Sequence, residues 1–257
     1  MTKTLAPRTI ALALTLPAAA FATSAAAQSS DFEPEGGFYV SVQAGVSSPT
    51  DETFDGIQDP VAGSPGVAGA PAQVEVEYDE GFNGTAAIGY RLPRRVFGLL
   101  QPSIELEYAY SEADVSGGSF NGGIQRFDGD VEVHTVSINY QTDFRWAEDQ
   151  RFIPFIGGGI GIADVDHNAA YFPANGIATA PTFAVTGGDT GLSLQSNIGI
   201  QYVLTDNIEL QTRVRYQRIT GLDFERRFVA GGADLFNADL DGRFETVNVL
   251  AGVRYRF

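Results

Sequence analysis

Apolar and polar residues alternate with period two through eight stretches of the chain, the spacing of strands with unlike faces. In residues 38–46, Phe38, Val40, Val42, Ala44 and Val46 share one face and Tyr39, Ser41, Gln43 and Gly45 the other. The second strand spans residues 82–92, with Ala86, Ile88, Tyr90 and Leu92 on its apolar face. Before it, Val74, Val76 and Tyr78 alternate with Glu75, Glu77 and Asp79, read as an extension of that strand beyond a membrane. The third strand (101–111) sets Ile104, Leu106, Tyr108 and Tyr110 against Glu105, Glu107 and Ala109. The fourth (131–144) sets Val136, Ile138, Tyr140 and Phe144 against Ser137, Asn139, Gln141 and Asp143. The fifth (152–163) is apolar or Gly on both faces, so its phase stays open; Pro154 sits near its start, where a lost donor is tolerable. Residues 192–204 and 208–218 alternate again, and the chain ends on a strand, 246–257. There Val247, Val249, Ala251, Val253, Tyr255 and Phe257 face away from Asn248, Gly252, Arg254 and Arg256.

The connections alternate in length. Residues 47–73, 112–130, 164–189 and 220–243 are long and rich in Gly, Asp, Ala or Pro, and read as loops; residues 93–95, 145–151 and 205–207 are short turns. Eight strands of roughly 9–13 residues suit a tilted bilayer crossing. An even count lets the last strand pair with the first and remove both sheet edges. The predicted fold is all-β: a closed eight-stranded antiparallel transmembrane barrel in a bacterial outer membrane, with short periplasmic turns and four long extracellular loops. A β-sandwich or a lipocalin-like soluble barrel would alternate similarly, with its apolar face turned inward. Two features argue against it. The polar faces carry Gly, Asn, Gln and Ser, fit for a narrow lumen, and Tyr90, Phe144, Tyr202, Tyr255 and Phe257 cluster at the turn side as an aromatic girdle.

The N-terminus adds an address. Lys3 and Arg8, an apolar core over residues 10–22, and Ala25-Ala26-Ala27 predict a secretory signal peptide over residues 1–27, leaving 28–257 as the barrel. No apolar run after it reaches the length of a spanning helix. There is no Cys, which excludes disulfides and thiolate metal sites. Without the leader's two cations, 14 basic residues face 32 acidic ones, and every remaining cation is Arg. Such a surface disfavours nucleic acid and anionic membranes.

Charges predicted to point inward form the sharpest constellation: Glu105, Glu107, Asp143 and Glu209 against Arg91, Arg213, Arg215, Arg254 and Arg256. Four acids against five bases is near balance, while most other acids lie in loops, turns and strand ends. Glu107 and Arg213 fall at similar heights on opposite walls, and an eight-stranded barrel is just wide enough for side chains to fill. The network reads as a salt-bridge plug; the functional alternative is a gate or narrow ion path. No catalytic site is expected. The only histidines are His134, out of phase with Ser137, and His167, in the acidic stretch 164–168. No metal or cofactor is expected either. Asn237, Asp239, Asp241 and Gly242 imitate half a calcium loop, but Asn248 stands where the closing acid belongs, and Gly231-Gly-Ala-Asp234 is one isolated copy of a calcium-repeat unit.

Gly37-Phe-Tyr-Val-Ser-Val-Gln-Ala-Gly45, Phe152-Ile-Pro-Phe-Ile-Gly-Gly-Gly-Ile-Gly161 and the terminal Tyr255-Arg-Phe257 resemble the first, fifth and last strands of the eight-stranded outer membrane β-barrel family, which includes OmpA-like, OmpX-like and opacity-type surface proteins. The resemblance covers all of residues 28–257 and implies architecture rather than activity. It implies that Tyr255 and Phe257 form the signal read by the barrel insertion machinery. The role expected for the chain is structural and surface-exposed, in outer-membrane lipid, with acidic loops contacting lipopolysaccharide, ions or external partners; which external partner stays open. A small porin-like channel and an adhesin are the alternatives.

Overall fold

The computed structural model describes residues 35–173 and 178–257; the expected signal peptide lies outside them. Eleven strands run β1 (Gly37–Pro49), β2 (Glu52–Gln58), β3 (Pro71–Tyr78), β4 (Gly81–Arg91), β5 (Leu100–Phe120), β6 (Gly123–Gln125), β7 (Phe127–Phe144), β8 (Phe152–Tyr171), β9 (Phe183–Val203), β10 (Ile208–Phe228) and β11 (Leu235–Arg256). They form one antiparallel sheet closed on itself. The ring is β1-β4-β5-β7-β8-β9-β10-β11, and β11 returns to β1 through eleven paired positions, from Tyr39 with Arg256 to Pro49 with Thr246.

The eight predicted spans all lie in this ring, but the strands are longer than expected. β5, β9 and β10 have 21 residues and β11 has 22. At about 3.3 Å per residue, a 21-residue strand tilted by about 40° climbs roughly 50 Å, twice the apolar band of such a barrel. The excess runs into the long connections. β2 lies inside the stretch 47–73, and strand continues through much of 112–130, 164–189 and 220–243. In this upper part β2 and β3 take the places of β1 and β4 between β11 and β5, so the ring stays closed beyond the bilayer.

Closure persists because alternation does not stop at the membrane; it changes sign. On β5 the outward residues are Ile104, Leu106, Tyr108 and Tyr110, then Glu112 and Asp114. The inward ones are Glu105 and Glu107, then Ala113 and Val115. β7 repeats this, with Tyr140, Ile138 and Val136 giving way outside to Glu132 and Asp130, while Asn139 and Ser137 give way inside to Val133 and Val131. The lower barrel is therefore polar inside and apolar outside, as lipid requires. The upper tube is apolar inside and acidic outside, like a water-soluble barrel. Its core holds Phe54, Val76, Tyr171, Leu222, Phe224 and Phe244 among others.

β8 settles its phase by putting Ile153 and Phe155 inward and Phe152, Ile156, Ile160 and Ile162 outward. Phe155 lies over Gly199 of β9, where a Cβ would collide with its ring. The girdle at the turn side gains Phe38, edge-on to Tyr90 at 4.9 Å, and Phe152, 4.9 Å from Tyr202. Tyr255 and Phe257 point outward and pack edge-on at 5.3 Å.

Candidate functional site

The lower lumen holds the predicted charges, brought together from β4, β5, β7, β10 and β11 by inward alternation. Arg91 meets Glu209 through two hydrogen bonds, 3.0 Å from Nη1 and 2.9 Å from Nη2, and lies 3.0 Å from Asp143. Its Nη2 also donates to Gln201 at 3.0 Å. Two-pronged pairing of this kind suits the planar guanidinium. Arg256 reaches Glu209 from the periplasmic rim at 3.4 Å, with its side chain partly exposed.

One layer up, Glu107 receives Arg215 at 2.7 Å and Arg213 at 3.2 Å, so Glu107 and Arg213 do meet across the bore. Glu105 receives Arg254 at 2.7 Å, and Arg213 stands 3.6 Å from it. Arg254 also lies 3.8 Å from Glu209 and so joins the two layers. Except for Arg256, every member is fully buried.

Two members escaped the sequence reading. Arg145, assigned to a turn, continues the inward phase of Gln141 and Asp143 and stands 3.5 Å from Glu209. Tyr39 continues the phase of Ser41 and Gln43; its hydroxyl donates to Glu105 at 2.9 Å, and the Arg254 guanidinium lies 4.1 Å from its ring centre. Period two marked both as inward. What it could not show is that they would reach a charge.

Above the charges lies a neutral polar layer. Gln195 donates to Ser137 and Asn139, Gln217 donates to Thr135 and Ser193, and Ser47 bonds Thr246. Higher still the bore enters the apolar core of the upper tube. The interior thus passes from charged to neutral to apolar along the axis.

The model of the family described as outer membrane protein beta-barrel domain matches residues 13–257. The chain belongs to the outer membrane β-barrel family. Its place is the outer membrane, with the apolar belt against lipid. No curated protein matches its sequence. Several solved structures resemble it. Neisserial surface protein A is 15% identical over 87% of this chain and 100% of that one, with a TM-score of 0.43. The outer membrane protease OmpT from Escherichia coli is 10% identical over 86% and 97%, with a TM-score of 0.50. OprG from Pseudomonas aeruginosa is 12% identical over 86% and 96%, with a TM-score of 0.47. Identities this low speak for the fold alone.

Each histidine meets a tyrosine hydroxyl. His134 is on the outer face, its Nδ1 2.7 Å from the Tyr108 hydroxyl. His167 corrects the expectation of an acidic loop. Asp164, Asp166 and Asn168 face outward, while His167 turns into the upper core, with Nε2 2.9 Å from the Tyr78 hydroxyl and its ring 5.2 Å from Phe54. Burial pushes its pKa down to about 4. The half calcium loop is a strand: Asp239 and Asp241 point outward on β11, while Asn237 is buried and donates to the Pro65 carbonyl. Among the described residues no group of three His, Cys, Asp or Glu side chains is placed to hold a metal ion.

Acids crowd the outside of the upper tube. Glu112 pairs across strands with Glu132, and Asp114 with Asp130. Asp223 pairs with Asp241, and Asp241 with Asp55. A hydrogen bond with Asp241 holds the Asp223 carboxyl above the usual range. Glu80, Glu112, Asp114, Asp128, Asp130 and Glu132 surround a cleft of about 520 Å³ beside Phe82.

Proposed function

We propose that this barrel is a closed envelope protein with a structural, surface-exposed role, its lumen plugged and its acidic upper tube turned towards ions, lipopolysaccharide and external partners. One observation carries the reading: two layers of opposite chemistry, buried ion pairs and an apolar core, are stacked in one bore. The salt bridges lie in the membrane-embedded half and the apolar core in the half above. An ion entering from outside would first cross a dry apolar plug, then displace buried ion pairs, and both steps are costly. Arg91, Glu105, Glu107, Asp143, Glu209, Arg213, Arg215, Arg254 and Arg256 act in this reading as the structural plug. Like-charged cross-strand pairs on the tube repel one another, which supports divalent cations as counter-charges, able to bridge the acids to lipid phosphate. The outward position of Tyr255 and Phe257 supports their reading as the signal for the insertion machinery. The surroundings of His134 and His167 support a non-enzymatic role.

Planar-bilayer recording tests the plug. The purified barrel should give no discrete conductance steps. Steady, reproducible channels would overturn the reading in favour of a small solute or ion channel.

A further inference from the structure

Among the described residues, every buried arginine but one meets a carboxylate. Arg91, Arg145, Arg213, Arg215 and Arg254 each stand within 3.5 Å of one. Arg226, near the upper end of β10, is only 3% exposed, yet its hydrogen bonds go to neutral groups alone, the Tyr171 hydroxyl from Nε and the Asn237 carbonyl oxygen from Nη1. The chain has 32 acids, so the gap is not one of supply. Burying a cation without a counter-charge is costly. Burial also pulls the Arg226 pKa below the usual guanidinium value.

The guanidinium is held in one pose. Its carbon lies 4.0 Å from the Phe120 ring centre and 3.7 Å from that of Phe183, so rings cover its faces and leave its edge. Both partners on that edge are fixed in turn. Tyr171 stacks against Phe127 at 4.9 Å and Phe183 at 5.7 Å. The Asn237 amide nitrogen donates to Ser64 Oγ at 3.1 Å and to Pro65 O at 2.7 Å, which turns its oxygen towards Arg226. Nη2 donates to none of the described residues. Nearby acids are already spoken for, since Glu225 and Asp234 pair with Arg227. Arg126, which makes no ion pair, lies 3.8 Å over the Phe172 ring, next to Tyr171. The extracellular mouth is therefore locally positive on a tube whose wall is acidic.

We propose that Arg226 is the centre of an oxyanion-binding site at the extracellular mouth: Nη2 donates to an oxygen of a phosphate, sulfate or carboxylate group, which supplies the counter-charge the chain withholds. Guanidinium N–H donors suit such oxygens, and a donor locked by its neighbours loses little freedom on binding. Height narrows the source. Tyr216 is the last residue of β10 in the lipid-facing belt, and Arg226 comes ten residues later. At about 3.3 Å per residue and a tilt of about 40°, it stands roughly 25 Å above the belt. Lipid headgroups end within about 10 Å. The group is therefore carried on a saccharide above the bilayer or is a free anion. The site lies above both layers of the bore and stands whether or not the bore conducts.

The test uses the whole barrel, nitrogen-15 labelled and refolded in detergent micelles. It is titrated with inorganic phosphate, sulfate and acetate, each against sodium chloride at the same ionic strength, while backbone amide and arginine Nε–H signals are followed. At least one oxyanion should shift the signals of Phe120, Tyr171, Phe183, Arg226 and Asn237 saturably in the millimolar range, and chloride should not. Arg226→Gln, its fold checked by migration of unboiled samples, should lose the response. Arg227→Gln, beside it but paired with Glu225 and Asp234, should keep it. No saturable response to any oxyanion, or one that chloride reproduces, would overturn the site on the native chain alone, whether or not the variant folds. So would a response that survives in folded Arg226→Gln. Phosphorylated oligosaccharide cleaved from lipopolysaccharide, compared with its dephosphorylated form, separates the sources: binding tighter than inorganic phosphate and lost on dephosphorylation places the group on a saccharide, and binding no tighter leaves the free anion.

Discussion

Neutralising one carboxylate at the foot of the lumen should cost more than any surface change. Glu209 takes both prongs of Arg91 and also stands within 3.5 Å of Arg145, 3.4 Å of Arg256 and 3.8 Å of Arg254. In Glu209→Gln the shape stays close to native, but Arg145 and Arg256 lose their carboxylate contact and Arg91 keeps only Asp143. Breaking a buried pair from one side costs about 3–5 kcal/mol, because it leaves uncompensated charge. Arg145 and Arg256 are close enough to the periplasmic mouth to recover some hydration, which argues against the top of that range. We expect a loss of about 4 kcal/mol. With a urea m value of about 2–3 kcal/mol/M, the unfolding midpoint should fall by about 1.5 M. The assay is reversible urea unfolding in vesicles at neutral pH, read by tryptophan emission and by migration of unboiled samples. Removing both partners in Arg91→Gln/Glu209→Gln should cost less than the sum of the two single changes. A Glu209→Gln midpoint indistinguishable from the native one would refute the plug as a stabilising network.

Three further outcomes follow from the upper tube and the wall. His167 has its pKa depressed to about 4, so its contribution is fully present above 6.5 and lost as pH falls through about 4. The upper core should weaken by about 3 kcal/mol across that window, read by amide exchange in β8, and His167→Phe should flatten the dependence. Glu52, buried on β2 and 3.4 Å from Arg243, has its carboxyl raised to about 7, mainly by burial. Its contribution is present below 4.5 and lost as pH rises through 7, so Glu52→Gln should stabilise the tube at pH 8, by about 1 kcal/mol once solvent screening of the partly hydrated carboxyl is allowed for; proteolysis of the upper strands at that pH would check the sign. Gly199→Leu should drive a side chain into the Phe155 ring and destabilise the barrel by about 1–3 kcal/mol, while the same change at exposed Gly188 should be close to neutral in the same urea titration.

The eight spans, the lipid-facing belt and the inward set of charges were legible because each rests on period two, which is a property of neighbours in the chain. The extent of the strands was not. Ala113 and Val115, Val165, Leu222 and Leu240 keep the same alternation beyond the membrane, interleaved with acids, in stretches whose Gly and Asp content reads as loop. The sign of the pattern changes there while its period does not. A membrane barrel and a soluble barrel stood as rival readings of one alternation, and this chain uses both, one above the other.

Alternation by itself determined which residues share a face, and thus that Glu107 and Arg213 both point inward and that Phe257 ends an apolar edge. Only closure of the sheet decided what those faces meet. The stagger between strands set Glu107 3.2 Å from Arg213, brought Arg145 and Arg256 to Glu209, and laid Tyr39 beside Arg254. These distances depend on every register around the ring at once, since a slip of one residue turns a whole strand inside out. For the same reason His167, placed by its acidic neighbours on the surface, lies in the core: neighbours in a strand face opposite ways, and the tube above the bilayer has an inside.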